Sequence, residues 1–113
     1  MLTIYHNPRC SKSREGVQFL EENNIDFQMV KYLNEPLSES ELKEIIDKLG
    51  IKPIELVRTK EEIWKNNYKD KSLPDDEIIK AMHENPRLIE RPIVVNGDKA
   101  VIARPFSLIK NIL

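Results

Sequence analysis

Leu2-Thr3-Ile4-Tyr5-His6-Asn7-Pro8-Arg9-Cys10-Ser11-Lys12-Ser13-Arg14 runs from an apolar stretch, through a proline-marked turn, into a helical pattern. Leu2 to Tyr5 predicts a short strand that ends at the Asn7-Pro8 breaker. From about Ser11 to Glu22 the pattern is helical, with Val17 and Leu20 three apart and Asn23-Asn24 as the stop signal. Phe27 to Leu33 alternates as a second strand, closed by Asn34-Glu35-Pro36. Strand, helix and strand of these lengths make a βαβ unit, whose strands are parallel and whose crossover is right-handed. Cys10 then falls at the first turn of the unit, at the carboxyl end of a strand and the amino end of a helix.

That position bears on reactivity, because Cys10 is the only cysteine in the chain. A free thiol with a pKa near 8.5 is only about 3% thiolate at neutral pH, and the thiolate is the nucleophile. Lowering the pKa by about two units takes about 2.7 kcal/mol, more than the roughly 0.3–1 kcal/mol a helix dipole usually gives. Cationic neighbours are therefore expected, and His6, Arg9, Lys12 and Arg14 all lie within four positions of Cys10. Against this stands the common role of a lone cysteine as a small buried hydrophobe. The pattern Cys10-x-x-Ser13 puts serine where a resolving cysteine would stand in a two-cysteine redox motif. Any redox cycle at Cys10 must therefore take its second thiol from another molecule.

The remainder of the chain fills out the fold. Ser38-Glu39-Ser40-Glu41 forms a capping box before a helix whose stripe is Leu42, Ile45, Ile46 and Leu49, and Gly50 closes it. Lys52-Pro53 opens a short helix through Leu56 and Val57, and Glu61 to Tyr68 and Asp75 to Glu84 are further helical segments. The acids after Pro74 suit a first turn, and Asn85-Pro86 stops the helix. Ile93-Val94-Val95 and Ala100-Val101-Ile102-Ala103 read as strands joined around Asn96-Gly97, a strong hairpin signal. Pro105 opens a last helix with Leu108, Ile109 and Ile112 facing inward. The order β-α-β, helical stretch, β-hairpin and closing helix predicts an α/β fold of thioredoxin-like order, with a mixed four-stranded sheet flanked by helices. A single domain over residues 1–113 is expected, with a helical insertion at about 37–86.

Composition bounds the partners. The chain has 113 residues, 40% of them hydrophobic and 33% charged, and a net charge of −1, so nothing in the balance points to nucleic acid. No apolar run is long enough to span a bilayer, and the start has no basic leader region, so a cytoplasmic protein without membrane partners is expected. One cysteine can build neither an internal disulfide nor a thiolate metal cluster, which suits a reducing compartment.

Four stretches in order, His6-Asn7-Pro8-Arg9-Cys10-Ser11-Lys12-Ser13-Arg14, Leu56-Val57-Arg58-Thr59, Leu88-Ile89-Glu90-Arg91-Pro92-Ile93-Val94-Val95 and Ala103-Arg104-Pro105, closely resemble the glutaredoxin-linked arsenate reductases. The resemblance spans essentially the whole chain. It implies a thioredoxin/glutaredoxin-like fold with a helical insertion, Cys10 as nucleophile, and Arg58, Arg91 and Arg104 as ligands of the arsenic oxyanion. It also implies a cis peptide between Arg91 and Pro92 facing the cysteine loop, and His6 as the histidine that lowers the cysteine pKa. Arsenate as substrate, glutathione as co-substrate with no tightly bound cofactor, and glutaredoxin as partner are the activity it implies. Arginine suits the task on chemical grounds, since its planar, permanently charged fork matches a tetrahedral oxyanion. Ser11 stands where better-known resistance enzymes often have glycine, and the chain lacks their longer C-terminal extension, so it resembles a compact form.

Two other readings attach to the same residues. A glutathione-dependent thiol reductase needs Cys10 but not the three arginines. A regulator resembling Spx, which binds RNA polymerase, shares the fold but usually carries the Cys-x-x-Cys that is missing here. Among other residues, His83 near a helix end reads as an electrostatic cap rather than a metal ligand, and no metal site is expected. Trp64 and Tyr68, four apart, read as one packed face. Arg9, Lys12 and Arg14 either bind a glutathione carboxylate, steer anions or solvate the loop, and Arg87 reads as a surface charge.

Overall fold

A computed structural model describes residues 2–69 and 71–113, which group into two compact units. One is the chain up to Glu35 together with Arg91–Leu113, and the other is Pro36–Glu90.

The first unit is built on a four-stranded sheet in the order β2-β1-β3-β4, with β1 at Leu2–Tyr5, β2 at Phe27–Val30, β3 at Ile93–Asn96 and β4 at Lys99–Ile102. Strands β1 and β2 run parallel, with Tyr5 opposite Val30, and are connected through helix α1, Ser11–Glu22. Strand β3 lies antiparallel to both β1 and β4. This mixed sheet flanked by helices is the thioredoxin-like arrangement that the element order predicts. Leu2 and Ile4 of β1 and Val94 of β3 share one face with Phe19 and Leu20 of α1 and with Ile109 and Ile112, forming a single apolar cluster. Burial of such side chains is worth roughly 1.5–3 kcal/mol each and drives the layer together.

Several details differ from the sequence reading. Strand β2 stops at Val30 instead of reaching Leu33, because the Lys31 carbonyl accepts from the amides of both Asn34 and Glu35 and turns the chain. The hairpin turns on Gly97 and Asp98, since Asn96 still pairs with Lys99 in the ladder and it is Gly97 that takes φ +63°. The closing segment Phe106–Ile112 is a 3₁₀ helix rather than an α-helix, although Ile109 and Ile112 are buried as expected. Leu108, assigned inward with them, is half-buried. The side-chain amide of Asn96 fixes this segment to the hairpin by donating from Nδ2 to the Ile112 carbonyl.

The second unit holds α2 at Glu39–Leu49, α3 at Glu62–Asn67 and α4 at Asp75–Glu84, with α2 packed on α4. The capping box is present in full: Ser38 Oγ accepts from the Glu41 amide, and the Glu41 side chain accepts from the Ser38 amide. Gly50 closes α2 in the left-handed conformation. The segment opened by Pro53 is a single 3₁₀ turn to Leu56, followed by an antiparallel bridge between Val57 and Ile89. Helix α3 is one residue shorter at each end than expected; Trp64 and Tyr68 stack with centroids 5.3 Å apart, as their spacing predicts. No helix among the described residues is long and apolar enough to cross a membrane.

Candidate active site

The carboxyl end of β1, the amino end of α1 and the start of β3 meet at Cys10. Because β3 is antiparallel to β1 and Tyr5 stands opposite Ile93, the residues before β3 come alongside the loop after β1. Arg91 and Pro92 thus reach the cysteine loop by register alone. The Arg91–Pro92 peptide is cis, and so is Arg104–Pro105 after β4, which the sequence reading did not anticipate. Helix α1 packs closely on Pro92 at Gly16: a Cβ there would lie 3.2 Å from Pro92 Cγ and 3.4 Å from Ile4 Cδ1.

Cys10 is the N-cap of α1 and is buried, with its amide bonded to the Asn7 carbonyl at 3.0 Å. Its thiol makes no formal cap hydrogen bond, but Lys12 and Ser13 are the second and third helical residues, whose free amides a cap anion would meet. Burial is the largest influence on the sulfur and pushes its pKa up. The Ser13 amide, the Arg91 guanidinium by hydrogen bonding and charge, and the Lys12 amide together outweigh it, so the pKa lies below the ordinary thiol value. The nearby cations named from sequence do not supply this effect; Arg91, far away in sequence, does. Arg14 instead donates to the Pro8 carbonyl and ties down the loop, Arg9 is exposed, and Lys12 pairs with Glu15 at 3.7 Å.

Arg91 is only partly exposed, and its Nε and Nη1 are buried with no protein partner among the described residues. Leaving such donors unpaired is costly, which makes them a ready place for an anion. An oxyanion bound there would lie beside the Cys10 sulfur. Among the described residues, no three His, Cys, Asp or Glu side chains gather as a metal site.

His6 and Ser13 form a buried pair behind the loop. His6 Nδ1 is 2.7 Å from Ser13 Oγ, and the Asn7 amide donates to that same oxygen at 2.9 Å. Ser13 therefore anchors both the start of the loop and the first turn of α1. Burial lowers the His6 pKa first, the charges of Lys31 and Arg14 add to this, and a hydrogen bond with the Ser13 backbone opposes it. His6 is consequently neutral at neutral pH and is not among the groups that lower the Cys10 pKa. Lys31, absent from the sequence reading, acts here because parallel pairing of β1 with β2 brings the residue after Val30 beside His6, whose amide donates to the Val30 carbonyl at 2.9 Å. That register was the signal that could have found it.

Arg104 follows β4 in the same unit and is exposed, and the Ala103 amide bonds the Pro92 carbonyl at 2.9 Å, so it leaves the sheet at the end where β3 begins. Arg58 lies in the second unit, where its guanidinium is paired with Glu61 and with Glu90. His83 lies in the last turn of α4, where the sequence reading puts it, and its Nδ1 is bonded to the Leu37 carbonyl at 2.7 Å.

Comparison with known proteins adds a family to this geometry. A family model described as the ArsC family matches residues 5–112. The arsenate reductase of Haemophilus influenzae is 46% identical over 112 residues, covering 97% of each chain. YfgD of Escherichia coli K12, described only as an uncharacterized protein, is 47% identical over 104 residues, which cover 90% of this chain and 87% of its own. Among solved structures, the arsenate reductase from Vibrio cholerae superposes with a TM-score of 0.94 at 45% identity, covering 99% of this chain and 97% of that one.

Proposed function

Because the chain belongs to the ArsC family, we propose that it reduces arsenate to arsenite with Cys10 as nucleophile and glutathione as the thiol that completes the reaction. The observation that carries this reading is Arg91, whose guanidinium lowers the Cys10 pKa and whose Nε and Nη1 are buried without a protein partner among the described residues. In the proposed cycle arsenate binds Arg91, with Arg58 and Arg104 as its other arginine ligands, and the three charges offset the repulsion between an anionic substrate and a thiolate. The Cys10 thiolate forms a sulfur–arsenic bond as hydroxide leaves and is protonated to water. Glutathione thiolate then attacks the Cys10 sulfur. The new sulfur–sulfur bond forms as the electron pair of the sulfur–arsenic bond passes to arsenic, which leaves as arsenite.

The product left on the protein is a Cys10–glutathione mixed disulfide. With Ser13 in the resolving position and no second cysteine in the chain, an external dithiol must clear it, and glutaredoxin is the proposed reductant. Ser13 and Pro92 shape the site, and His6 acts in this scheme as a positioning residue: neutral and buried, it holds Ser13, whose amide stabilises the thiolate. Purified protein offered arsenate and glutathione, with and without glutaredoxin, tests the reading by direct measurement of arsenite. Sustained turnover is expected only with glutaredoxin. Absence of arsenite under both conditions, with glutathione-dependent reduction of a model disulfide retained, would replace the proposal with a general thiol reductase.

A further inference from the structure

The bridge between Val57 and Ile89 puts Arg58 and Glu90 on one face of a short antiparallel pairing. The Arg58 amide bonds the Leu88 carbonyl at 2.7 Å, the Glu90 amide bonds the Leu56 carbonyl at 2.9 Å, and the two side chains meet diagonally. Glu90 Oε1 stands 3.5 Å from Arg58 Nε. From the other side Glu61, whose amide bonds the Arg58 carbonyl at 3.1 Å, takes Arg58 Nη1 with Oε1 in a short charged hydrogen bond. One guanidinium thus carries two carboxylates, and the local charge is negative by one.

A guanidinium grips an oxyanion best with two parallel N–H groups, and it has two edges that offer them: Nε with Nη2, and Nη1 with Nη2. Glu90 stands at one member of the first edge and Glu61 takes one member of the second. Neither edge is free of a carboxylate. We infer that Glu61 and Glu90 gate Arg58, so that an incoming oxyanion gains bidentate contact only by displacing one carboxylate, and that this competition sets the affinity for the substrate. All three side chains are about 30% exposed, so displacement exchanges one screened contact for another instead of exposing a buried charge.

The inference rests on the proposed role of Arg58 as an arsenate ligand, and a double-mutant cycle separates the two. Steady-state arsenate reduction is measured for Glu61→Gln, Glu90→Gln and Arg58→Ala, alone and combined, each Gln keeping an acceptor while losing the charge. Each Gln substitution is expected to lower KM for arsenate about two- to fivefold, the size of one partly exposed charge contact, with the effect in KM and not in kcat. Arg58→Ala raises KM and abolishes the benefit of either Gln. If Arg58→Ala raises KM but the Gln variants leave it unchanged or raise it, the carboxylates hold Arg58 in place and the gate is overturned while the role of Arg58 stands. If Arg58→Ala leaves KM unchanged, that role falls and the gate with it. Inhibition by inorganic phosphate as an unreactive oxyanion gives a second readout, and tighter inhibition in the Gln variants is the expected result.

Discussion

At Cys10 the cost of burying an anion competes with two helix amides and one guanidinium, and the amides and Arg91 win. Thiolate absorbance followed through a pH titration should therefore show a midpoint below that of a free thiol. Arg91→Ala should move it upward, and His6→Ala should move it less, because a neutral imidazole offers no charge to the sulfur. A wild-type midpoint at or above that of a free thiol would remove the physical basis for an activated nucleophile. At the substrate end, Arg91→Lys keeps the charge and loses the fork, and kcat/KM for arsenate should fall about 100-fold, as when an anion-stabilising donor is removed; unchanged kinetics would dismiss the contact. His6 adds a stability effect whose sign follows from its lowered pKa. On acidification the unfolded chain takes up the proton first, near 6.5, so the native state loses stability as pH falls below that value until the folded histidine also protonates. Urea unfolding at a series of pH values should show a shallower loss in His6→Asn, and equal slopes would contradict the assignment.

Among the elements, α1 approaches the start of β3 closely at Gly16, which has no side chain. Gly16→Ala would gain about 1 kcal/mol of helix propensity and incur about 1–3 kcal/mol of overpacking against the Pro92 ring and Ile4. Net destabilisation is expected in urea unfolding, and a variant more stable than the parent would show that Pro92 yields. The capping box of α2 makes a simpler case: Ser38→Ala removes the acceptor for the Glu41 amide and should cost about 1 kcal/mol. These two elements also mark what sequence conveys. The capping box is written in adjacent residues, so α2 could be read to its caps. The contact of Gly16 with Pro92 joins positions 76 apart, and no local pattern announces it. The same limit hid Lys31, placed beside His6 by strand pairing, and left open which cation faces Cys10, a place that Arg91 takes through the register of β1 with β3. Helix type at the carboxyl end escaped for another reason, since spacings of three and four put Ile109 and Ile112 inward in either an α or a 3₁₀ form.

At the scale of the whole molecule, the element order was legible because most segments are short, amphipathic and closed by Pro, Gly or Asn, and few sheet topologies accommodate that order. The candidate site was legible in part: Cys10 by its place in the βαβ turn, the proposed arginine ligands only through resemblance to a family, and the pairing of Arg58 with two carboxylates not at all. The chain as a whole supplies one thiol and, in the proposed cycle, borrows the next, and that dependence is the centre of the account. Intact-mass analysis after turnover with arsenate and glutathione, glutaredoxin withheld, tests it most directly. The account predicts one glutathione on Cys10 and one arsenite released per chain, loss of the adduct when glutaredoxin is added, and neither product in Cys10→Ser. Arsenite formed by Cys10→Ser, or released without any glutathione adduct on the wild-type chain, would contradict it.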